Sequence, residues 1–216
     1  MRRRKHVRTG NASADVSNWE PKTEIGRKVK AGEITNIDEV LLSGKPILEP
    51  EIVDYLIPDL KYEILEIRTT QRVTDCGRKQ KFRATVLVGD GHGHVGLGTG
   101  KSEELRPAIE AAIRNAKKNI ILVRMGCGSW ECNCGGTHSL PMKVMGKCGS
   151  TYVVLQPGPK GLGLAANHVI KSVLTLAGVK DVWSRSFGHT TNVLNLAKAC
   201  INALNSLNEI KPQPKR

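Results

Sequence analysis

The alternation of hydrophobic and polar residues over 62–120 predicts a small sheet followed by a helix. Two runs rich in β-branched residues, 62–74 and 81–89, flank the turn-forming sequence DCGRKQ and predict a β-hairpin. A third short strand is predicted at 95–100, after the glycine-rich turn DGHGH. From 102 to 120, apolar residues recur at i, i+3 and i+4, which predicts a helix capped by the serine at its start. The resulting order is β-β-β-α.

The second half of the chain also mixes strand-like and helical patterns. A glycine-rich loop, PGPKGLG, follows the second of its strand-like runs. The pattern therefore predicts a second α+β domain. Its strands are predicted at 138–147, 150–157 and 179–188, and its helices at 168–177 and 192–207.

Composition sets the boundaries of these domains. The segment 1–18 is basic and then small and polar, which predicts a disordered arm. Prolines punctuate a lead-in extension at 19–61, in which short apolar groups predict one or two short helices. The remaining boundaries give domains at 62–120 and 138–207, a Gly/Cys-rich connection at 121–137 and a flexible basic tail at 208–216.

The net charge of +13 is concentrated in the domains. Residues 61–216 carry 23 Lys or Arg against 10 Asp or Glu, which predicts a polyanionic partner. Only three Trp, three Tyr and two Phe are present, too few to fill two cores and also to form a platform for unpaired bases. The sequence therefore favours folded RNA that is bound through its phosphates and its shape.

Membrane insertion and secretion do not fit the pattern. No run of about 18 apolar residues is present, and no apolar segment follows the basic start. The six cysteines, three crowded and three scattered, do not resemble a secreted disulfide framework. A cytoplasmic location without membrane contact is predicted.

Between Arg68 and Arg83, the predicted hairpin carries six cations against one acid, Asp75. Such charges can straddle an RNA backbone, and Gly77 in the turn permits a close approach of the two backbones. The alternative is a solvated, charged hairpin. The cations are Arg68, Arg72, Arg78, Lys79, Lys81 and Arg83.

Three further residues outside the hairpin are candidates for contact with RNA. His92 and His94 lie in the predicted DGHGH turn, where a metal role is a weaker alternative. Lys160 lies between glycines in PGPKGLG, which suits contact with a phosphate, although a plain turn explains the loop equally well.

Two glycine patterns imitate nucleotide-binding motifs but lack parts of them. GHGHVG has the GxGxxG spacing, yet a further strand is predicted where a dinucleotide site needs the start of a helix. GTGKS ends like a phosphate-binding loop, but Val95 stands where its first glycine is required. A glycine-rich hairpin is favoured over a nucleotide-binding enzyme. Because no catalytic pair or triad stands out either, no enzymatic activity is predicted.

The stretch GCGSWECNCGGTH brings four metal-binding side chains into thirteen residues: Cys127, Cys132, Cys134 and His138. These are ligand types that zinc prefers, and the glycines allow the loop to fold around an ion. Four protein ligands leave no open position, so the prediction is a structural Zn²⁺ and not a catalytic one. Cys148 is an alternative fourth ligand, and unliganded thiols are the alternative to a metal.

Several long stretches resemble the ribosomal protein S-five family. GRKQKFRATVLVGDGHGHVGLGTGKSEELRPAI, residues 77–109, is similar to that family's signature, and GKCGSTYVVLQPGPKGLGL is similar to a loop of its C-terminal domain. AGVKDVWSRSFG and NLAKAC resemble its last motif, and WEPKTEIGRKVKAGEI resembles an extension found in archaeal and eukaryotic members. The chain is identified on these stretches as a member of the family, of archaeal type.

This resemblance implies a structural component of the small ribosomal subunit. It implies an N-terminal double-stranded-RNA-binding-like domain, followed by a C-terminal βαβ-type domain with a left-handed crossover. Members of the family bind small-subunit ribosomal RNA, contact ribosomal protein S-four, line the side where mRNA enters and influence decoding fidelity. The family does not require the cysteine cluster. A zinc-dependent nucleic-acid-binding regulator is the remaining alternative.

Overall fold

The computed structural model describes residues 9–11, 19–132 and 134–209. The described residues form two compact units, the first within 9–90 and 96–120 and the second within 91–95 and 121–209. Each unit combines a sheet with helices, which confirms the predicted two-domain α+β fold. Within the described residues, no helix is long and apolar enough to cross a membrane.

The first unit is built on a five-stranded sheet with the spatial order β1-β2-β3-β4-β5. β2 and β3 pair in antiparallel register along their length and form the predicted hairpin. Helix α4 packs on β3, so the β-β-β-α order is confirmed. The elements are β1 (Thr9–Asn11), α1 (Glu24–Lys30), α2 (Ile37–Leu42), α3 (Glu51–Leu56), β2 (Lys61–Thr74), β3 (Gly77–Gly89), β4 (His94–Ser102), α4 (Leu105–Lys118) and β5 (Ile120–Leu122).

The second unit has a four-stranded sheet with the order β6-β7-β9-β8. The strands β8 and β9 run parallel and are joined through α5, which is a βαβ arrangement. Its left-handed crossover stays a prediction. The elements are β6 (Val144–Cys148), β7 (Thr151–Pro157), β8 (Leu164–Ala165), α5 (His168–Ala177), β9 (Val182–Phe187), α6 (Val193–Asn205) and a 3-10 helix (Ser206–Glu209).

Some element boundaries differ from the predicted ones. The turn of the hairpin is only Asp75–Cys76, because the ladder continues to the pair Thr74 and Gly77. Ser102 is the last residue of β4 and not a helix cap, since Glu104 precedes the helix and makes no side-chain capping bond. In the second unit, residues 138–143 are not a strand but contribute a single bridge between Gly126 and Ser139.

Part of the segment predicted to be a disordered arm is ordered. Thr9–Asn11 form β1, whose backbone pairs antiparallel with Lys61–Glu63 at the start of β2. The edge of β2 offers unpaired backbone groups at this point, and a strand satisfies them whatever its side chains are. The rest of residues 1–18 and most of the predicted basic tail, from residue 210, lie outside the described residues.

The lead-in extension shares the hydrophobic core of the first unit. Val29, Val40 and Ile52 from the extension are buried in one cluster with residues of β3 and α4, such as Val86 and Ala112. Short helices of six or seven residues gain little stability alone, so their burial against the sheet accounts for their presence. The extension is therefore an integral layer of this unit.

Glycines in β4 allow α4 to approach the sheet closely. A Cβ atom built at Gly98 would collide with the carbonyl oxygen of Ala112, and one at Gly100 with that of Ala108. The same combination recurs in the second unit, where a Cβ at Gly146 would collide with the carbonyl oxygen of Ala199. Gly98 and Gly100 of the GTGKS motif, with Gly96 of GHGHVG, thus serve the packing of a helix against a strand, whereas Gly91 and Gly93 have positive φ angles in the bend.

Candidate nucleic-acid interface and metal site

The β2–β3 hairpin extends beyond the hydrophobic core as a two-stranded ribbon. All of the residues from 71 to 81 are exposed, whereas from Ala84 onward β3 is buried. Gly77 has a φ of +126°, a region that favours glycine, and it follows directly on the two-residue turn. An exposed ribbon of this length cannot be explained by its contribution to the core.

The register of the hairpin places five of its six predicted cations on one face. Arg68 lies opposite Arg83, Thr70 opposite Lys81, and Arg72 opposite Lys79. Directly opposed residues point to the same side of a sheet, and positions two apart on one strand share a face. Arg78 lies opposite Val73 and is on the other face. We name as the basic face Arg68, Arg72, Lys79, Lys81 and Arg83.

Two members of the basic face are also engaged in ion pairs. Arg68 Nε lies 2.6 Å from a carboxylate oxygen of Glu66, and Lys79 Nζ lies 2.9 Å from one of Glu103. The hydrogen bond from Lys79 and its charge lower the pKa of the Glu103 carboxyl. Both pairs are solvent-exposed on at least one side and contribute little to stability.

The other predicted RNA-binding residues are not part of the hairpin. His92 lies exposed in the bend after β3, and the half-buried His94 begins β4. Lys160 is exposed in the loop between β7 and β8, within the second unit. The structure therefore gathers five of the hairpin cations on one face, whereas these three residues belong to the second unit.

The structure brings together the four predicted metal ligands. The ligand atoms of Cys127, Cys132, Cys134 and His138 all lie within 4.8 Å of one another. In a tetrahedral zinc site, ligand atoms are about 3.5–3.8 Å apart, given Zn–S and Zn–N bonds of about 2.3 and 2.0 Å. The 3.7 Å between Cys132 Sγ and His138 Nε2 fits this spacing. Cys148 is outside the cluster, at the end of β6, so the alternative ligand is not supported.

The thiols of the cluster have unequal acidities. The hydrogen bond from the Cys134 thiol and one from the backbone N–H of Lys160 lower the pKa of Cys132 to about 6. Burial, and then hydrogen bonding with Cys134, raises the pKa of Cys127 to about 11. Because the thiolate is the form that binds metal, Cys132 is the thiol of this pair that is more readily converted to a ligand.

His138 is oriented by a residue that sequence reasoning missed. Its Nδ1 lies 2.8 Å from Oδ2 of Asp181, while its Nε2 faces Cys132. A histidine that donates from one nitrogen to a carboxylate offers the other nitrogen to a metal. Burial opposes ionisation of Asp181, but hydrogen bonds from Gly163 and His138 outweigh it and lower the pKa of this carboxyl. An acid 43 residues from the cluster gives no local signal, because only the fold brings it there.

Asp181 also ties the cluster to the glycine-rich loop that carries Lys160. Its Oδ1 accepts hydrogen bonds from the backbone N–H groups of Gly161 and Gly163, at 3.2 and 2.8 Å. The backbone N–H of Lys180 and that of Asp181 itself donate to the carbonyl oxygen of His138. The cysteine loop and the PGPKGLG loop are thus parts of one hydrogen-bonded network.

The glycine-rich β4 lacks the geometry of a nucleotide site. The side of β4 on which Gly98 and Gly100 would carry a Cβ is occupied by the backbone of α4. A phosphate therefore has no access to these glycines from that side, and α4 begins only at Leu105. Together, the two units define an α+β protein with an exposed polycationic ribbon and no nucleotide-binding loop in the described residues.

Comparison with known proteins identifies the family. Two family models match the chain: "Ribosomal protein S5, N-terminal domain" over residues 60–124 and "Ribosomal protein S5, C-terminal domain" over residues 146–215. The small ribosomal subunit protein uS5 of Methanocaldococcus jannaschii is 56% identical over 90% of this chain and 89% of its own length. The uS5 proteins of Staphylothermus marinus and Methanospirillum hungatei are 53% and 52% identical, over 88% and 91% of this chain and 88% and 96% of their own lengths.

The chain therefore belongs to the ribosomal protein S5 family. This confirms the resemblance seen in the sequence. Members of the family are structural components of the small ribosomal subunit in the cytoplasm and are not enzymes. The prediction that the chain is not an enzyme is therefore confirmed, and the alternative of a nucleotide-binding enzyme is excluded.

Proposed function

We propose that the basic face of the β2–β3 hairpin binds small-subunit ribosomal RNA through its phosphates. Its five cations project from one side of an exposed ribbon, at the spacing of a pleated strand pair. Cations at this spacing can follow a phosphate backbone, and phosphate contacts position a protein on RNA without reading bases. Gly77 keeps the tip of the ribbon narrow, and Arg78 contacts RNA from the opposite face.

The observation that carries this proposal is the pairing of like charges across the ladder. Arg68 opposes Arg83, and Arg72 opposes Lys79. Like charges directly opposite each other destabilise a sheet by a few tenths of a kcal/mol or more. An arrangement that is unfavourable for the isolated fold is relieved when a polyanion neutralises it.

The resemblance to the family supports further contacts of the bound chain. We infer that it contacts ribosomal protein S-four, lies near the path of mRNA into the subunit and supports decoding fidelity. His92, His94 and Lys160 are additional RNA contacts in this proposal, and each is a polar residue in a bend, loop or strand end. In this proposal, each of the two units has at least one residue that contacts the surrounding ribosomal subunit.

The proposal is tested by the salt dependence of binding to a small-subunit ribosomal RNA transcript. The affinity falls as salt rises, and each lost phosphate contact reduces the steepness of log K against log salt by about 0.7–0.9. Replacing Arg72, Lys81 and Arg83 by alanine is therefore expected to reduce the steepness by about two to three units. The charge-matched control replaces Arg27, Lys28 and Lys45 in the lead-in extension by alanine. A slope that falls equally in both variants would show that only net charge matters, and would overturn the proposal.

We also propose that Cys127, Cys132, Cys134 and His138 hold a structural Zn²⁺. The support is the convergence of the four ligand atoms within 4.8 Å and the carboxylate behind His138. A metal bound there would fasten the cysteine loop to β9 and to the PGPKGLG loop through Asp181. It would supply no catalysis, because no ligand position is left open.

Zinc content per chain tests this second proposal. The purified protein is expected to contain about one zinc, and the variant Cys132→Ser/Cys134→Ser to contain none. The control is Cys76→Ser/Cys148→Ser, which removes two thiols outside the cluster and is expected to keep the metal. Absence of zinc from the unaltered protein after expression in zinc-supplemented medium would leave the cluster as free thiols.

A further inference from the structure

The aromatic residues of the second unit all lie at its surface. None of the fully buried hydrophobic residues that the structure describes is aromatic, because aliphatic side chains and alanines fill both cores. The four aromatic residues after position 120 are exposed by 36% to 92%. The premise that the cores take up the aromatic side chains is therefore wrong for the second unit, although Trp19, Tyr62 and Phe82 pack partly buried against the core of the first. These four residues are Trp130, Tyr152, Trp183 and Phe187.

Three of these aromatic residues share the outer face of the second sheet. Gly146 in β6 faces α6, so its neighbours Met145 and Lys147 point away from that helix. In β7, Tyr152 is exposed, whereas Val154 and Gln156 on the same face are half-buried. In β9 the three alternating residues Trp183, Arg185 and Phe187 are exposed. We define the aromatic sheet face by Met145, Lys147, Tyr152, Trp183, Arg185 and Phe187.

The register alternates rings and cations on this face. Tyr152 lies opposite Phe187 on one side and opposite Lys147 on the other. Lys147 Nζ is 4.9 Å from the centre of the Tyr152 ring, a cation–π distance. Arg185 lies between Trp183 and Phe187 in β9, two positions from each. The strands β6, β7 and β9 contain no Asp or Glu.

The face continues into a groove at its Trp183 end. This groove has a volume of about 670 Å³ and is lined by the rings of Trp130 and Trp183 and by Lys143 and Arg185. It contains one acid, Glu131. A groove of this volume accommodates a planar group the size of a nucleobase.

We propose that the aromatic sheet face and its groove bind single-stranded RNA, with unpaired bases stacked on Trp183, Tyr152 and Phe187. Aromatic side chains on a sheet stack bases of any sequence, and neighbouring cations contact the phosphates. A duplex has no unpaired base to offer such rings. The proposal is independent of the hairpin, whose basic face carries no aromatic residue.

Charge favours this ligand over an apolar protein surface. An apolar partner would bury Lys147 and Arg185 without acidic partners from these strands, which is unfavourable. RNA supplies a phosphate for each cation and a ring for each aromatic side chain. After residue 120 the chain also has eleven Lys or Arg against three Asp or Glu.

The test measures binding of a fluorescein-labelled twelve-nucleotide oligo(U) to the full-length protein. The hairpin variant Arg72→Ala/Lys81→Ala/Arg83→Ala is the background, so that phosphate binding there does not mask the sheet face. Replacing Tyr152 and Phe187 by leucine is expected to lower affinity about tenfold or more, because stacking is lost while apolar volume is kept. The control, Tyr55→Leu, removes an exposed ring of α3 and is expected to change affinity less than twofold.

A direct readout comes from the tryptophan itself. Stacking of a base is expected to quench the fluorescence of Trp183, and the quenching is expected to be smaller in the Trp183→Phe variant, in which Trp130 is the one tryptophan left in the groove. Thermal unfolding at the same temperature as the background verifies that each variant is folded. Unchanged oligo(U) affinity in folded Tyr152→Leu/Phe187→Leu protein would overturn the proposal.

Discussion

Nδ1 of His138 lies 2.8 Å from Oδ2 of Asp181, and the same carboxylate accepts two backbone hydrogen bonds from the PGPKGLG loop. One buried acid therefore connects a ligand of the cysteine cluster with the loop that carries Lys160. Because Asp181 fixes the orientation of the imidazole, it would support the proposed zinc site without being a ligand.

Replacing Asp181 by asparagine is expected to weaken zinc binding by about 10- to 100-fold, as for other carboxylates behind a liganding histidine. Competition with a chromogenic chelator measures this affinity. The control Asp59→Asn removes an exposed acid of the first unit and is expected to leave it unchanged. In the Asp181→Asn variant, the amide hydrogens of Gly161 and Gly163 are also expected to exchange faster with solvent, since their acceptor has lost its charge. Unaltered zinc affinity in the Asp181 variant would show that His138 is oriented by its backbone alone.

Removing one partner of the buried ion pair between Asp54 and Lys117 is expected to destabilise the first unit. The two side chains are 2% and 4% exposed, and Lys117 Nζ lies 2.6 Å from Oδ1 of Asp54. Asp54→Ala leaves a buried ammonium without its carboxylate, and is expected to lower the free energy of unfolding by about 3–5 kcal/mol. Urea unfolding measures the loss.

The matched control for this ion pair replaces both partners. Asp54→Leu/Lys117→Met removes the charges together and is expected to be far less destabilising than the single change, because no uncompensated charge remains. A double variant as unstable as Asp54→Ala would mean that packing, and not charge, determines the loss.

Closeness of α4 to β4 makes Gly98 sensitive to the smallest substitution. Gly98→Ala places a Cβ against the carbonyl oxygen of Ala112, and overpacking of this kind costs about 1–3 kcal/mol or more. Thermal unfolding is the measurement. Thr99→Ala, at the next position of the same strand, is expected to be much milder because Thr99 points to the other side. Equal losses in the two variants would contradict the close packing.

Glu49 makes the lead-in extension sensitive to acid. Burial opposes its ionisation, but hydrogen bonds from the backbone N–H groups of Thr23 and Lys22 and from the indole of Trp19 lower the pKa of the carboxyl. A carboxyl with a lowered folded-state pKa stabilises the protein above its unfolded-state pKa, and the contribution is lost as pH falls through the folded-state pKa. The Trp19 indole N–H resonance is therefore expected to shift as this acid range is crossed.

Glu49→Gln is the control for the acid response. The amide does not titrate in this range, so the Trp19 resonance is expected to stay constant from neutral pH down to the point where the unit unfolds. A resonance in the unaltered protein that is equally insensitive would show that the carboxylate does not hold Trp19 and the start of α1 in solution.

Local patterns in the sequence were sufficient for the fold class and the candidate ligands. Alternation over 62–89 predicted the hairpin, and the crowding of Cys127, Cys132, Cys134 and His138 predicted the cluster, because both signals lie between near neighbours in the chain. Long matching stretches also gave the family. The local sequence does not decide whether Ser102 ends a strand or caps a helix, since serine suits both positions.

Tertiary structure alone decided which distant residues meet and which side chains stay outside. Asp181 contacts His138 although 43 residues separate them in the chain. The lead-in extension enters the core of the first unit because its apolar residues are buried against the sheet. The ladder register, and not composition, sorted five cations onto one face and Arg78 onto the other. In the second unit, glycine packs closely against alanine, and Tyr152, Trp183 and Phe187 lie at the surface and not in the core. The number of aromatic residues in the sequence does not reveal which of them are buried.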